Sequence, residues 1–388
     1  MEFDVIVVGG GLVGASLALA LQQSSDLKLA LVEARRPRLA DADGWDSRIY
    51  AISPGAAEFL ARGGAWNGLD AARACPVEDM RVFGDDIRAE IDFSAYGAGL
   101  RELAVIVENR ELQRVLWNAL ERAQHLEVIA PAACKTLMLK ESCAQLELAS
   151  GRALTARLIV GADGADSWVR AQAGIEATQR SYRQTAVVAN FATARPHRGT
   201  AYQWFRRDGV LALLPLPGER VSMVWSTVQE HAQRLLELSS TELALQVAAA
   251  SHDTLGALKS ITPAAAFPLQ LQSVRRLVAP RVALVGDAAH NVHPLAGQGV
   301  NLGFRDAREL AQVLAQRGAQ TDCGDYRLLR RYERARREDI AATRFATDTL
   351  QRLFNNDSPW LAGMRNFGMR ATNRLPQLKN LLVQHAVA

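Results

Sequence analysis

The sequence predicts an α/β fold: a parallel sheet flanked by helices, a second, antiparallel sheet, and a helical C-terminal region. Three observations predict it. Short apolar runs at residues 5–8, 29–32 and 158–160 each end in a glycine or acidic turn, as buried parallel strands do. Runs at 211–217 and 221–227 are joined by Pro217-Gly218-Glu219-Arg220, a turn-rich link between antiparallel strands. From about Tyr326 the pattern becomes helical and rich in arginine.

Composition sets the bounds. The chain has 388 residues, 49% of them hydrophobic, enough for a large core in two or three domains. Its net charge of +4 comes from 45 basic and 41 acidic residues, and no basic, aromatic-interleaved stripe accompanies it, so nucleic acid is not an expected partner. Cys75, Cys134, Cys143 and Cys323 are scattered without zinc or redox spacing, which reads as reduced, packed thiols in the cytosol and no metal site. The apolar start lacks a basic n-region and glycines break it at once, so a strand is expected and not a signal peptide. No run of 18 apolar residues is present, so no membrane span is expected.

The first element explains itself. After the strand at 5–8, Gly9, Gly11 and Gly14 form G-x-G-x-x-G, and an apolar helical stretch follows. The next apolar run ends in Glu33, about 20 residues on, where a carboxylate can accept a ribose hydroxyl. Glycines here allow a tight turn, the approach of a pyrophosphate and close helix packing.

Two further segments repeat the theme. Residues 156–170 read as a buried strand, a turn containing Gly161, Asp163 and Gly164, and a helix start near Ser167. Asp163 is open to a plain turn role. Residues 286–307 hold Gly286-Asp287, a proline turn, Gly297 and Gly299, and another helix start. A helix N-terminus offers unpaired N–H groups and the positive end of a dipole, so this stretch is suited to an electron-rich ligand. Three such turns can meet at the carboxyl edge of one parallel sheet, where ligands bind.

These segments resemble the single-component FAD-dependent aromatic monooxygenases, and within them the ubiquinone-biosynthesis hydroxylases. The pattern His293, Pro294, Leu295, Ala296, Gly297, Gln298, Gly299, Asn301, Gly303, Asp306 meets the signature of that branch without a gap. The resemblance extends to residues 46–60, 107–117 and 209–226 and covers most of residues 1–340. It implies a Rossmann-like FAD-binding domain in three parts (1–75, 101–178 and 273–325), a substrate domain from 76–100 and 179–272, and C-terminal helices over 326–388.

Roles follow from the resemblance. Gly9, Gly11, Gly14 and Glu33 would bind the ADP half of FAD. Arg48 would lie beside the flavin. Arg110 would meet the phosphates, although a solvated charge at a helix start is the alternative. Asp163 would support its turn and Asp287 would hold the ribityl chain. Pro294, Gly297, Gly299, Val300 and Asn301 would sit under the isoalloxazine ring, the first three as the backbone of the reaction centre. His290 and His293 are open to two readings, general base or hydrogen-bond partner holding the loop.

The implied reaction is hydroxylation of a polyprenylated phenol or quinol through a flavin hydroperoxide formed with O2. NADPH or NADH would dock transiently, since no second nucleotide-binding βαβ unit is evident. Two other classes share the cofactor motifs: a flavin reductase or dehydrogenase, and a non-catalytic FAD-bound subunit of a quinone-biosynthesis complex. Trp204, Phe205, Leu214 and Trp225 are candidates either for the pocket wall or for ordinary sheet core. Residues 229–260 read as one or two surface helices. On the C-terminal helix, Arg327, Arg330, Arg331, Arg334, Arg336 and Arg337 with Glu333, Glu338 and Asp339 read as a solvated face. Beyond them, Leu350, Leu353, Phe354, Trp360, Leu361, Met364 and Phe367 mix with arginines, a pattern that suits either an anionic membrane surface or packing on the protein body. The expected location is cytoplasmic, free or peripheral on the inner face of the membrane, alone or with other ubiquinone-biosynthesis proteins.

Overall fold

The computed structural model describes residues 1–37, 44–84, 89–291 and 298–354, together with Asn373, Leu375, Gln377, Lys379, Asn380 and Val383. The strand Phe3–Val8 is the centre of a parallel sheet. Leu29–Val32 lies on one side and Ala153–Gly161 on the other, and Leu126–Ile129 and Val282–Leu284 extend the sheet outward. Ala144–Leu148 and Cys134–Leu139 continue it as antiparallel strands. Val5, Ile6, Val7, Leu29, Leu31, Leu158 and Ile159 are all fully buried. A strand covered on both faces needs a continuous apolar run, and this is what the sequence supplies.

Register decides the function of this sheet. Val8 pairs with Val32 and with Gly161, and Gly161 pairs with Leu284. The chain therefore leaves four parallel strands at one edge, at Gly9, Glu33, Ala162 and Val285. Gly9 has φ of +107°, and a Cβ there would stand 2.4 Å from the Ala162 carbonyl oxygen. Only glycine fits that position. A Cβ on Gly14 would stand 2.0 Å from the Gly9 oxygen, so this glycine lets the helix Leu12–Ser24 press against its own strand end.

Among the described residues the second sheet has nine strands, one of which, Leu258–Ser260, pairs with Ala177–Thr193 off the main path. Its path runs His290–Asn291, Ala265–Val274, Ala177–Thr193, Arg220–Val228, Gly209–Leu216, Thr200–Arg206, Asp79–Phe83, Glu90–Ser94. One face carries Val187, Phe191, Leu211, Met223 and Trp225 beneath the helices Gln229–Glu237 and Ser240–Ala250. Trp204 and Trp225 belong to this core, so they are sheet core and not pocket wall. Phe205 packs with Val82 and Val210. Leu214 and Leu216 turn to the other face and meet Trp45, Ile49 and Ile106. These last residues lie on or beside a three-stranded sheet of Ile49–Ile52, Ala104–Glu108 and Ala74–Val77 that the sequence did not announce. Its strands are short and pair across long separations, so no local periodicity marks them.

The helix Tyr326–Phe354 begins where Asp325 accepts N–H bonds from Arg327 (2.7 Å) and Leu328 (3.1 Å), an N-cap arrangement. It is not wholly solvated, contrary to the sequence expectation. Tyr332 donates to the Leu284 carbonyl (2.8 Å), Glu333 accepts from the Leu277 amide (2.8 Å), and Arg336 is 6% exposed. Arg327, Arg331, Arg334 and Arg337 remain exposed. The reason is geometric: residues 328, 329, 332, 333 and 336 share one helical face, and that face carries the two long charged side chains inward with Leu328 and Leu329. Trp360, Leu361, Met364 and Phe367 lie outside the described residues.

Candidate functional site

The carboxyl edge of the parallel sheet gathers the glycine turn, Glu33, Asp163 and Asp287. The helix Leu12–Ser24 starts there from Gly11, with no capping side chain and no acid in its first turn. Its first amides and its positive dipole end are unspent. A Cβ on Gly11 would meet nothing within 4 Å. Gly9 and Gly14 thus pack against protein, while Gly11 faces open space. Glu33 accepts from the Gly10 amide (2.6 Å) and the Arg35 amide (2.9 Å). A carboxylate accepts about four bonds, so two directions remain for hydroxyl groups. Trp117, 2% exposed, fixes the turn from behind by donating its indole N–H to the Gly10 carbonyl (2.9 Å).

A second helix start stands beside the first. Gln298–Ala315 carries Gly299, Val300 and Asn301 in its first turn. A Cβ on Gly303 would come 2.6 Å from a Val13 methyl, so the two helices touch closely. A Cβ on Gly299 would meet nothing within 4 Å among the described residues. The Asn301 amide is tied to residues 51–53, accepting from the Ser53 amide (3.0 Å) and donating to the Ala51 carbonyl (2.8 Å). Pro294, Gly297 and His293 lie outside the described residues.

The turn at 286–291 is held from several sides. The Gly286 amide donates to Asp306 (3.0 Å), Gln272 donates to the Asp287 carbonyl (2.9 Å), and Arg170 donates to the Ala288 carbonyl (2.9 Å). His290 bonds Asp306 through Nε2 at 2.5 Å. His290 is 3% exposed and bonded to Asp306, which fits the loop-holding role. The strand His290–Asn291 pairs with Gln272 and Ser273, which joins the turn to the antiparallel sheet.

Electrostatics at the rim are coupled. The Asp287 side chain is exposed at the edge but crowded by protein, and this desolvation raises its carboxyl, with His290 and Arg48 pulling it back and Asp306 adding to the rise. Burial raises the Tyr50 phenol next door, opposed by Arg48 and reinforced by Asp287 and Asp46. Asp306 is fully buried. Burial alone would raise it, but His290 and Arg336 outweigh burial and hold its carboxyl below the usual range.

The structure brings Arg48 and Arg110 together through Asp46. One Asp46 oxygen accepts the Arg48 amide (3.0 Å) and the other the Arg110 amide (3.2 Å). Glu108, 1% exposed, accepts from the Asp46 amide (2.5 Å) and pairs with Arg73 (3.1 Å) and Arg110 (3.5 Å). Arg48 is exposed and lies over the Phe267 ring at 5.0 Å. Asp163 spends its side chain locally. It accepts from Ser167 (2.5 Å) and the Val169 amide (3.0 Å) and so anchors the helix Trp168–Gln172 to the strand end. Sequence reasoning missed Asp46, Glu108, Trp117, Arg170, Gln272 and the buried role of Asp306. Asp306 had a local signal in the Asn301–Gly303–Asp306 spacing, and Asp46, Glu108 and Trp117 lay within the resembling segments without their roles being marked.

A family model described as FAD binding domain matches residues 2–346. The chain is 36% identical to ubiquinone hydroxylase UbiL of Rhodospirillum rubrum, over 99% of this chain and 89% of that protein. It is 34% identical to 3-demethoxyubiquinol 3-hydroxylase of Escherichia coli, over 99% and 98% of the two chains. The fold is shared with P. aeruginosa PqsL, solved with 2-aminobenzoylacetate, at a TM-score of 0.80 and 24% identity over 95% and 100% of the two chains. The residues present fit a dinucleotide: an open glycine floor at Gly11, two helix starts for electron-rich groups, and the Glu33 carboxylate with free acceptor directions.

Two outcomes follow. Gly11→Val should fold with a loss of about 1 kcal/mol, because the added methyls enter open space. FAD affinity should fall by about tenfold or more, read by flavin fluorescence titration beside a melting curve. Asp306→Asn should cost about 3–5 kcal/mol near neutral pH, since it removes the buried charge that Arg336 and His290 share and leaves Arg336 with Asp339 as its remaining carboxylate. Asp306 titrates lower in the folded state than in the unfolded one. Its contribution is therefore complete above the unfolded value of about 3.9 and fades as the pH falls through the lower folded value. Denaturant unfolding from pH 7 to pH 3 should show the gap between variant and wild type constant above about pH 5 and narrowing below about pH 4.

Proposed function

This chain belongs to the FAD-binding family of ubiquinone-biosynthesis hydroxylases, and on that premise we propose that it hydroxylates the aromatic ring of a polyprenylated phenol or quinol. One atom of O2 enters the ring and the other leaves as water, with two electrons from NADPH or NADH. FAD, when bound, supplies the redox chemistry that connects the two. The alternatives of a flavin reductase and a non-catalytic subunit are not favoured, because relatives named as hydroxylases align with 99% of the chain.

The protein's part is to bind, orient and exclude water. Gly9, Gly11, Gly14 and the helix start at Leu12 would receive the pyrophosphate, and Glu33 a ribose hydroxyl. Arg110 and Arg48 would approach the anionic phosphates and the flavin rim. Asp287 would accept from the ribityl chain. Gly299, Val300 and Asn301 would place backbone N–H groups of a helix start under the ring, where they favour negative charge, and Pro294 and Gly297 would belong to the same flavin-facing loop. Support for this reading comes from one observation above the others. The turn at 286–291 is hydrogen-bonded directly into the antiparallel sheet, through Gln272 and the strand His290–Asn291. A ring seated on that turn would lie against the sheet and out of bulk water, as oxygen-activating flavins require.

No helix among the described residues is long and apolar enough to cross a membrane. A lipid-soluble substrate would be reached from the membrane surface, and the exposed Arg327, Arg331, Arg334 and Arg337, followed by Phe345 at 73% exposure, offer a peripheral contact with anionic lipid on the cytoplasmic side.

Deletion of the gene in its host should lower the final quinone and accumulate a prenylated precursor that lacks one ring oxygen, identified by mass spectrometry of lipid extracts. An unchanged quinone pool with no oxygen-deficient precursor would contradict the assignment.

A further inference from the structure

The C-terminal helix reaches the cofactor turn through one side chain. Arg336 lies ten residues into Tyr326–Phe354, 6% exposed, and donates from Nε to the buried Asp306 at 2.7 Å. A second donor of the same guanidinium meets Asp339 at 2.6 Å, and Asp339 also pairs with Arg305 at 3.0 Å. The other Asp306 oxygen takes the Gly286 amide and His290. Four elements thus meet at one carboxylate: the C-terminal helix, the helix Gln298–Ala315, the strand His290–Asn291, and the short turn Gly286–Ala288 that carries Asp287.

We propose that Arg336 is a positioning residue for the flavin: by neutralising and orienting Asp306, it fixes the turn that presents Asp287 and the helix start that follows. The physics is specific. A carboxylate with no exposed surface keeps its charge only beside a matched cation. The guanidinium fork sets direction as well as charge, because it bonds Asp306 and Asp339 at once. With Arg336 gone, the Asp306 carboxylate keeps His290 on one oxygen but loses the guanidinium on the other, and with it the bond that fixes its rotation. A carboxylate free to turn no longer presents one oxygen to the Gly286 amide and to His290 at once in their present geometry. The turn then loses the anchor nearest Asp287 while the sheet beneath it remains.

The test compares two buried arginines. Arg281 is also tied into the core, pairing with Asp322 (2.8 Å) and donating to the Glu141 and Arg157 carbonyls (2.9 and 3.0 Å), and these side-chain partners lie away from the turn at 286–291. Arg336→Met and Arg281→Met are made in the full chain, and each is measured for melting temperature, FAD dissociation constant and visible circular dichroism of the flavin at full occupancy. Both should melt earlier than wild type. Only Arg336→Met should weaken FAD, by about tenfold, and change the flavin dichroism, and Arg336→Lys should recover part of both. If Arg336→Met yields no folded protein, Arg336→Lys against Arg281→Lys carries the same contrast. Equal FAD affinity and equal dichroism in the two substituted proteins would overturn the proposal. The inference rests on the FAD reading, and the wild-type titration separates them: a wild-type chain that fails to bind FAD overturns that reading, whereas wild-type binding with no difference between the arginine variants overturns the inference alone.

Discussion

One buried carboxylate holds the functional edge of this protein together. Asp306 receives the Gly286 amide, His290 and Arg336, and it does so with no exposed surface. Its charge is tolerable only because the partners are already in place, which couples three distant segments of chain to one atom group. The register of the parallel sheet delivers Gly9, Glu33, Ala162 and Val285 to a common edge. Asp306 then determines how the last of those strands turns as it leaves. A sheet without that clamp would still have the edge, but the turn that carries Asp287 would not be set against the glycine turn.

Much of this was legible in the residues. The strand at Phe3–Val8, the glycine turn and Glu33 follow one another at short range, so local chemistry and spacing identify them. The antiparallel strands around Pro217 were readable for the same reason, and the structure places them at Gly209–Leu216 and Arg220–Val228. What was hidden is everything that depends on partners far along the chain. The Asp46 carboxylate joins Arg48 to Arg110, 62 residues apart in the chain, and Trp117 reaches Gly10 across 107 residues. No periodicity records such pairs.

At two places position within an element decides what residue type does not. Trp204 and Trp225 were open as pocket wall because large aromatics suit a pocket, yet strand alternation sends them under the helices with Leu211 and Met223. Arg336 was read as solvated because arginine usually is. Its burial comes from the helical face it shares with Leu328, Leu329 and Tyr332, and from two carboxylates waiting beneath it. In both cases residue type was a weaker guide than position within the element. Asp163 shows the converse. Its strand-end position marked the site edge, while its side chain serves the neighbouring helix through Ser167 and Val169.

The account stands on oxygen entering an aromatic ring at this edge. The measurement that tests it most directly uses the FAD-loaded protein with NADPH, a short-chain polyprenylated phenol and isotopically labelled O2, with products resolved by mass spectrometry. The account predicts a ring-hydroxylated product carrying one labelled atom per molecule formed. NADPH oxidation that returns all the label as hydrogen peroxide or water, with the phenol and its close congeners recovered unchanged, would contradict it.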